Sequence, residues 1–123
     1  MSDATEQDRL ELVRRARSRR TRRARFTPGS PTKWHPTSCG DPRCGDPFTV
    51  DNCWEFVADA IENGAAVEVI KLRKPPGKRG FVVILDGIVG TKISVKLQLS
   101  SDVVLGRSFH ASTGPQDKED DDG

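Results

Sequence analysis

The sequence predicts an α+β domain: an antiparallel four-stranded meander with one or two helices packed on one face, a flexible basic N-terminal arm and an acidic C-terminal tail. Three observations lead there. Lys92 to Leu99 alternates strictly, with Ile93, Val95, Leu97 and Leu99 apolar and Lys92, Ser94, Lys96 and Gln98 polar, the period of a strand with one dry and one wet face. An amphipathic stretch from Thr49 to Gly64 precedes a series of short apolar runs separated by turn residues, the pattern of a helix laid on a meander. Charge is segregated: arginine dominates the first quarter and acids fill Asp117 to Asp122, although the net charge is only +2.

A chain of 123 residues holds one domain with tails. The hydrophobic fraction is 34% and is concentrated between Phe48 and Phe109, enough for a single layer of helix on sheet. No apolar run is long enough to span a membrane, and the first residues lack the hydrophobic region of a secretory signal. The expectation is a soluble, cytoplasmic protein. An odd cysteine count, three, with no export signal favours reduced thiols, although Cys39 and Cys44 could close a small disulfide loop.

Residues 1–27 form the arginine-rich arm, helical or disordered. Arginine and alanine favour helix, but after Ala16 the arginines leave no apolar stripe, so such a helix does not dock through a hydrophobic face of its own. Arg19, Arg20, Arg22 and Arg23 suit a grip on phosphates; the alternatives are a solvated arm or a surface for an acidic protein partner. Residues 28–47 are a loop rich in Pro, Gly and Cys, and Trp34 is placed to anchor it. His35, Cys39, Cys44 and Cys53 form the one metal-like set. Zinc takes four such ligands in a tetrahedron, but the spacing is at the edge of the usual range and no second knuckle follows. Zinc is therefore a weak candidate, and Cys53 reads better as a packing residue.

Residues 48–112 are the α+β domain. Thr49 or Asp51 caps its helix, Cys53, Trp54, Val57, Ala60 and Ile61 make the apolar stripe, and Asn63-Gly64 ends it. Glu55, Asp59 and Glu62 occupy the polar side and read as solvated. Ala65 to Lys74 and Phe81 to Leu85 are strands joined by a turn at Pro75 to Gly80. Asp86-Gly87 or Gly90 turns the chain into a terminal hairpin. Lys71, Arg73, Lys74, Lys78 and Arg79 cluster at one end of the sheet, where with Lys92 and Lys96 they extend a basic track. Residues 113–123 are a disordered acidic tail.

In the hairpin, Ser100, Ser101 and Asp102 supply the turn. Pairing Leu99 with Val103, Leu97 with Leu105, Lys96 with Gly106, Ser94 with Ser108, Ile93 with Phe109 and Lys92 with His110 sorts apolar from polar side chains. The wet set, Lys92, Ser94, Lys96, Gln98, Ser108 and His110, is then displayed on an open face.

The motifs Val-Lys-Leu-Gln-Leu at 95–99 and Gly-Arg-Ser-Phe-His at 106–110 resemble the C-terminal strands of MqsR-like toxins, within the group of barnase, colicin and RelE-like ribonucleases. The similarity extends back to the helix near Cys53. It implies a metal-independent endoribonuclease without cofactor, acting on RNA and neutralised by a cognate antitoxin protein. Histidine suits proton transfer near neutrality and cations suit a charged phosphorane. By resemblance, His110 is the acid or base, Lys96 and Arg107 hold phosphate, and Ser108 and Lys92 assist. Arg107 falls on the dry side in the register above unless a bulge at Gly106 turns it outward. The chain has no tyrosine, so Ser94 replaces the aromatic residue of related toxins and the second proton-transfer group is unidentified. Two other readings stand beside this one: a noncatalytic nucleic-acid-binding module and a zinc-stabilised interaction domain.

Overall fold

The computed structural model describes residues 2–24, 33–72, 79–88, 90–100 and 102–113. Six strands lie side by side in the order β1-β4-β5-β6-β7-β2, and β3 also pairs with β7. Four of them form the expected meander: β4 (Glu68–Lys71), β5 (Arg79–Asp86), β6 (Thr91–Leu99) and β7 (Val104–Thr113), each antiparallel to the next. Three two-residue strands make the sheet larger and mixed. β1 (Ser2–Asp3) joins β4 antiparallel, whereas β2 (Arg22–Arg23) and β3 (Lys33–Trp34) run parallel to β7.

Two helices, α1 (Glu6–Ala16) and α2 (Asn52–Glu62), cover one face. In α1, the Thr5 hydroxyl accepts from Asp8 N at 3.0 Å and the Asp8 carboxylate accepts from Thr5 N at 3.4 Å, a reciprocal cap that satisfies two otherwise orphaned donors. α2 starts with a similar exchange between Thr49 and Asn52 rather than a bond from the Asp51 side chain. It ends at Gly64, whose φ of 103° is open to glycine at little cost.

The first segment is not a detached arm. Leu12 and Ala16 of α1 are buried in the same core as Val57 and Ile61 of α2 and Val83, Val95 and Phe109 of the sheet, so an apolar stripe too short to stand out among arginines still docks the helix. Those arginines then meet the carboxylates of α2. Arg17 bonds Glu55 at 3.0 Å, Asp59 at 2.9 Å and Glu62 at 2.6 Å. Arg22, its side chain only 7% exposed, lies over Trp54 and bonds Asp51 at 3.0 Å, and Arg19 bonds the same carboxylate at 2.9 Å. Arg9 donates to the carbonyls of Ile61 and Ala65 at the C-terminus of α2, where cations are favoured. The α2 acids are thus paired rather than merely solvated.

Trp34 does anchor the proline-rich stretch. It stacks on Trp54 at 4.6 Å and meets Phe109 edge-on at 5.2 Å. The strand beneath it must be flat: a Cβ on Gly106 would come within 2.5 Å of the Trp34 ring.

Candidate active site

The site is built on the sheet face opposite the helices, and its centre is the β6–β7 pair. Here the register departs from expectation. Leu99 pairs with Val104, Gln98 with Leu105 and Leu97 with Gly106; then the register shifts, and Lys96 pairs with Ser108, Val95 with Phe109, Ser94 with His110 and Lys92 with Ser112. The extra residue in β7 is Arg107. A bulge of this kind lets one more residue face the polar side, and Arg107 Nη1 donates to Gln98 Oε1 at 2.8 Å. On the turn side of the bulge, the pairing of Leu99 with Val104 instead of Val103 puts Leu105 opposite Gln98 on the polar face and leaves Val104 buried against the core.

The polar face therefore brings together all four residues assigned to catalysis. Lys96 is directly opposite Ser108, His110 lies one step along opposite Ser94, and Arg107 emerges at the bulge beside Gln98. Diagonal neighbours across a pair stand ~7–8 Å apart at Cα, within reach of one phosphodiester for long side chains.

This face is not the open surface expected. Lys96 is 3% exposed, Arg107 6% and Ser108 8%, and Ser94 and Gln98 are buried as well. Only His110, half-buried, and Lys92, exposed, keep contact with solvent. The cations are sunk into the sheet surface, where hydration is poor and charge acts over a lower dielectric than in water. Ser108 Oγ is buried with no hydrogen-bond partner among the described residues, an uncommon and costly state for a hydroxyl.

Of the broader basic track, several described members bond carboxylates of the same chain. Lys92 bonds Asp86 across β5–β6. Arg79 lies over the Phe81 ring and 3.4 Å from the Asp8 carboxylate, and Arg19 and Arg22 are held by Asp51. Arg20 and Arg23 are exposed, with Arg23 opposite Leu105 on the polar side. Lys71 is exposed at the end of β4. Arg73, Lys74 and Lys78 lie outside the described residues.

The metal-like set does not converge. Among the described residues no group of three or more His, Cys, Asp or Glu side chains could hold a metal ion. Cys53 Sγ sits in the core and donates to Val50 O at 3.6 Å, and burial pushes its thiol up to about 12. Cys39 is buried and also raised by desolvation, while Cys44 is exposed.

One contributor escaped the sequence reading. Lys33 of β3 is in register with Ser108, so the orphaned hydroxyl lies between two lysine-bearing strands. A two-residue parallel strand in a proline-rich stretch has no periodicity to reveal it. No described helix is long and apolar enough to cross a membrane. No family model, curated protein or solved structure matches the chain.

Proposed function

We propose that the chain is a metal-independent endoribonuclease of the bacterial toxin type, cleaving RNA by attack of a 2′-hydroxyl on the adjacent phosphate. The observation that carries this reading is the β7 bulge: it puts Arg107 on the same face as Lys96, Ser108 and His110. The likeness of Val95 to Leu99 and of Gly106 to His110 to MqsR-like toxins supports it.

The roles follow from chemistry. His110, the half-buried member, exchanges a proton with the 2′-oxygen or the leaving 5′-oxygen. Lys96 and Arg107 lie below it, where fixed positive charge offsets the growing charge on the phosphorane. Ser108, opposite Lys96 across the strand pair, adds a hydroxyl to the same face.

A noncatalytic binding module fits less well. Such a protein works through many cations left available to phosphates, and here Arg17, Arg19, Arg22, Arg79 and Lys92 are matched to carboxylates of the same chain. A cognate antitoxin is the partner this reading implies.

The test is cleavage of a single-stranded RNA transcript in chelator by wild type and by His110→Ala. Wild type is expected to cut, and the variant to lose about 10²–10⁴-fold in rate, the usual worth of one proton-transfer group. Equal rates in both would remove His110 from the site.

A further inference from the structure

Cleavage through the 2′-oxygen moves two protons: one leaves the attacking hydroxyl and one joins the departing 5′-oxygen. His110 accounts for one. The fold places a candidate for the other beside it. β3 pairs in parallel with β7, Lys33 in register with Ser108 and Trp34 with Phe109. β3 ends at Trp34, and the bond from His35 N to Phe109 O at 3.2 Å, which closes the Trp34–Phe109 pair, holds the His35 backbone alongside β7. His35 therefore sits one step beyond that pair, on the His110 side of Phe109.

Side chains alternate along an extended chain. Trp34 turns toward α2, where it stacks on Trp54, so its neighbours Lys33 and His35 take the opposite side, that of Ser108 and His110. The chain has two histidines, and this arrangement puts His35, just past the end of β3, on the same side as His110 of β7, with the neighbouring backbones about 4.8 Å apart in the hydrogen-bonding direction. Both can be reached, since His35 is exposed and His110 half-buried. The backbone at His35 is held from both directions. Its carbonyl accepts from Ser38 N at 3.2 Å and from Cys39 Sγ at 3.5 Å, and the preceding Trp34 is wedged between Trp54 and Phe109.

We propose that His35 is the second catalytic residue, acting with His110 on one RNA phosphodiester; this rests on the ribonuclease reading. One imidazole, neutral, takes the proton of the 2′-hydroxyl as the 2′-oxygen bonds to phosphorus. The other, protonated, gives its proton to the 5′-oxygen as the P–O5′ bond breaks. The products are a 2′,3′-cyclic phosphate and a 5′-hydroxyl, with no change of oxidation state. The two histidines end in exchanged protonation states and reset through water.

The experiment compares wild type, His35→Ala and His110→Ala on a single-stranded RNA transcript in chelator across pH 4.5 to 9, with RNA retention on filters and imidazole added to the buffer as a rescue. Wild type is expected to give a bell-shaped rate profile. His35→Ala is expected to bind RNA as wild type does, lose about 10²–10⁴-fold in rate, lose one limb of the bell and regain activity with imidazole. A merely structural role would yield neither the one-sided profile nor the rescue. If wild type cuts and His35→Ala cuts equally well, or fails without responding to imidazole, His35 is not catalytic and the ribonuclease reading survives. If wild type leaves RNA intact, both fall together.

Discussion

Lys96 shows how far alternation carries and where it stops. Period two assigns Lys92, Ser94, Lys96 and Gln98 to the face opposite Ile93, Val95 and Leu97, and each lies there. Exposure does not follow from facing: Lys96 is 3% exposed, because what lies over a sheet face is decided by the rest of the chain and not by the strand's own pattern. Arg107 is the reverse case, a residue that simple alternation misplaces and one inserted position restores. Cys53 was legible from its place in the helix stripe, and its burial sets a test of the metal alternative. With the thiol of Cys53 pushed up to about 12 and Cys39 buried, only Cys44 should react quickly with iodoacetamide at pH 8 in the native protein, the other two following on unfolding. Mass spectrometry of labelled peptides reads this directly. Protection of Cys44 that is lifted by a chelator would instead favour the zinc-bound domain.

At the level of elements, the meander and α2 were readable because each is long enough to show its period. α1 as a docked helix was not. Its docking face is short, with Leu12 and Ala16 fully buried and Val13 partly so, and its ion pairs join Arg17 to carboxylates 38, 42 and 45 residues away, distances over which sequence carries no signal. The docking energy should come mainly from the apolar contact. Leu12→Ala is expected to cost about 2–5 kcal/mol in chemical denaturation, as for other buried leucines. Arg17→Ala breaks pairs that are half open to water and should cost at most about 1 kcal/mol for each. A larger loss for the arginine would mean that the charge network, not the core, holds α1. β3 was hidden for a different reason: two residues define no period, and parallel pairing with β7 depends on Trp34 finding Trp54 and Phe109.

For the molecule as a whole, the helices and the polar site divide the two faces of one sheet. The core aromatics Phe48, Trp54, Phe56, Phe81 and Phe109 share one cluster with both helices. The other side carries Ser94, Lys96, Arg107, Ser108 and His110, with Val82, Ile84 and Leu105 among them. The α+β class and the wet set Lys92, Ser94, Lys96, Gln98, Ser108 and His110 were legible; the places of Leu105 and Arg107, the strands that pair from outside the hairpin, and the burial of the face were not, since the first depend on one-residue shifts of register and the others on contacts between segments distant in sequence. The proposed function requires this second face to perform phosphodiester chemistry. The direct measurement is the chemistry of the ends left when the purified full chain is incubated with single-stranded RNA in chelator. Cleavage is expected to leave 2′,3′-cyclic phosphate and 5′-hydroxyl termini and to be abolished in His110→Ala; intact RNA, or 5′-phosphate and 3′-hydroxyl termini, would overturn the proposed activity.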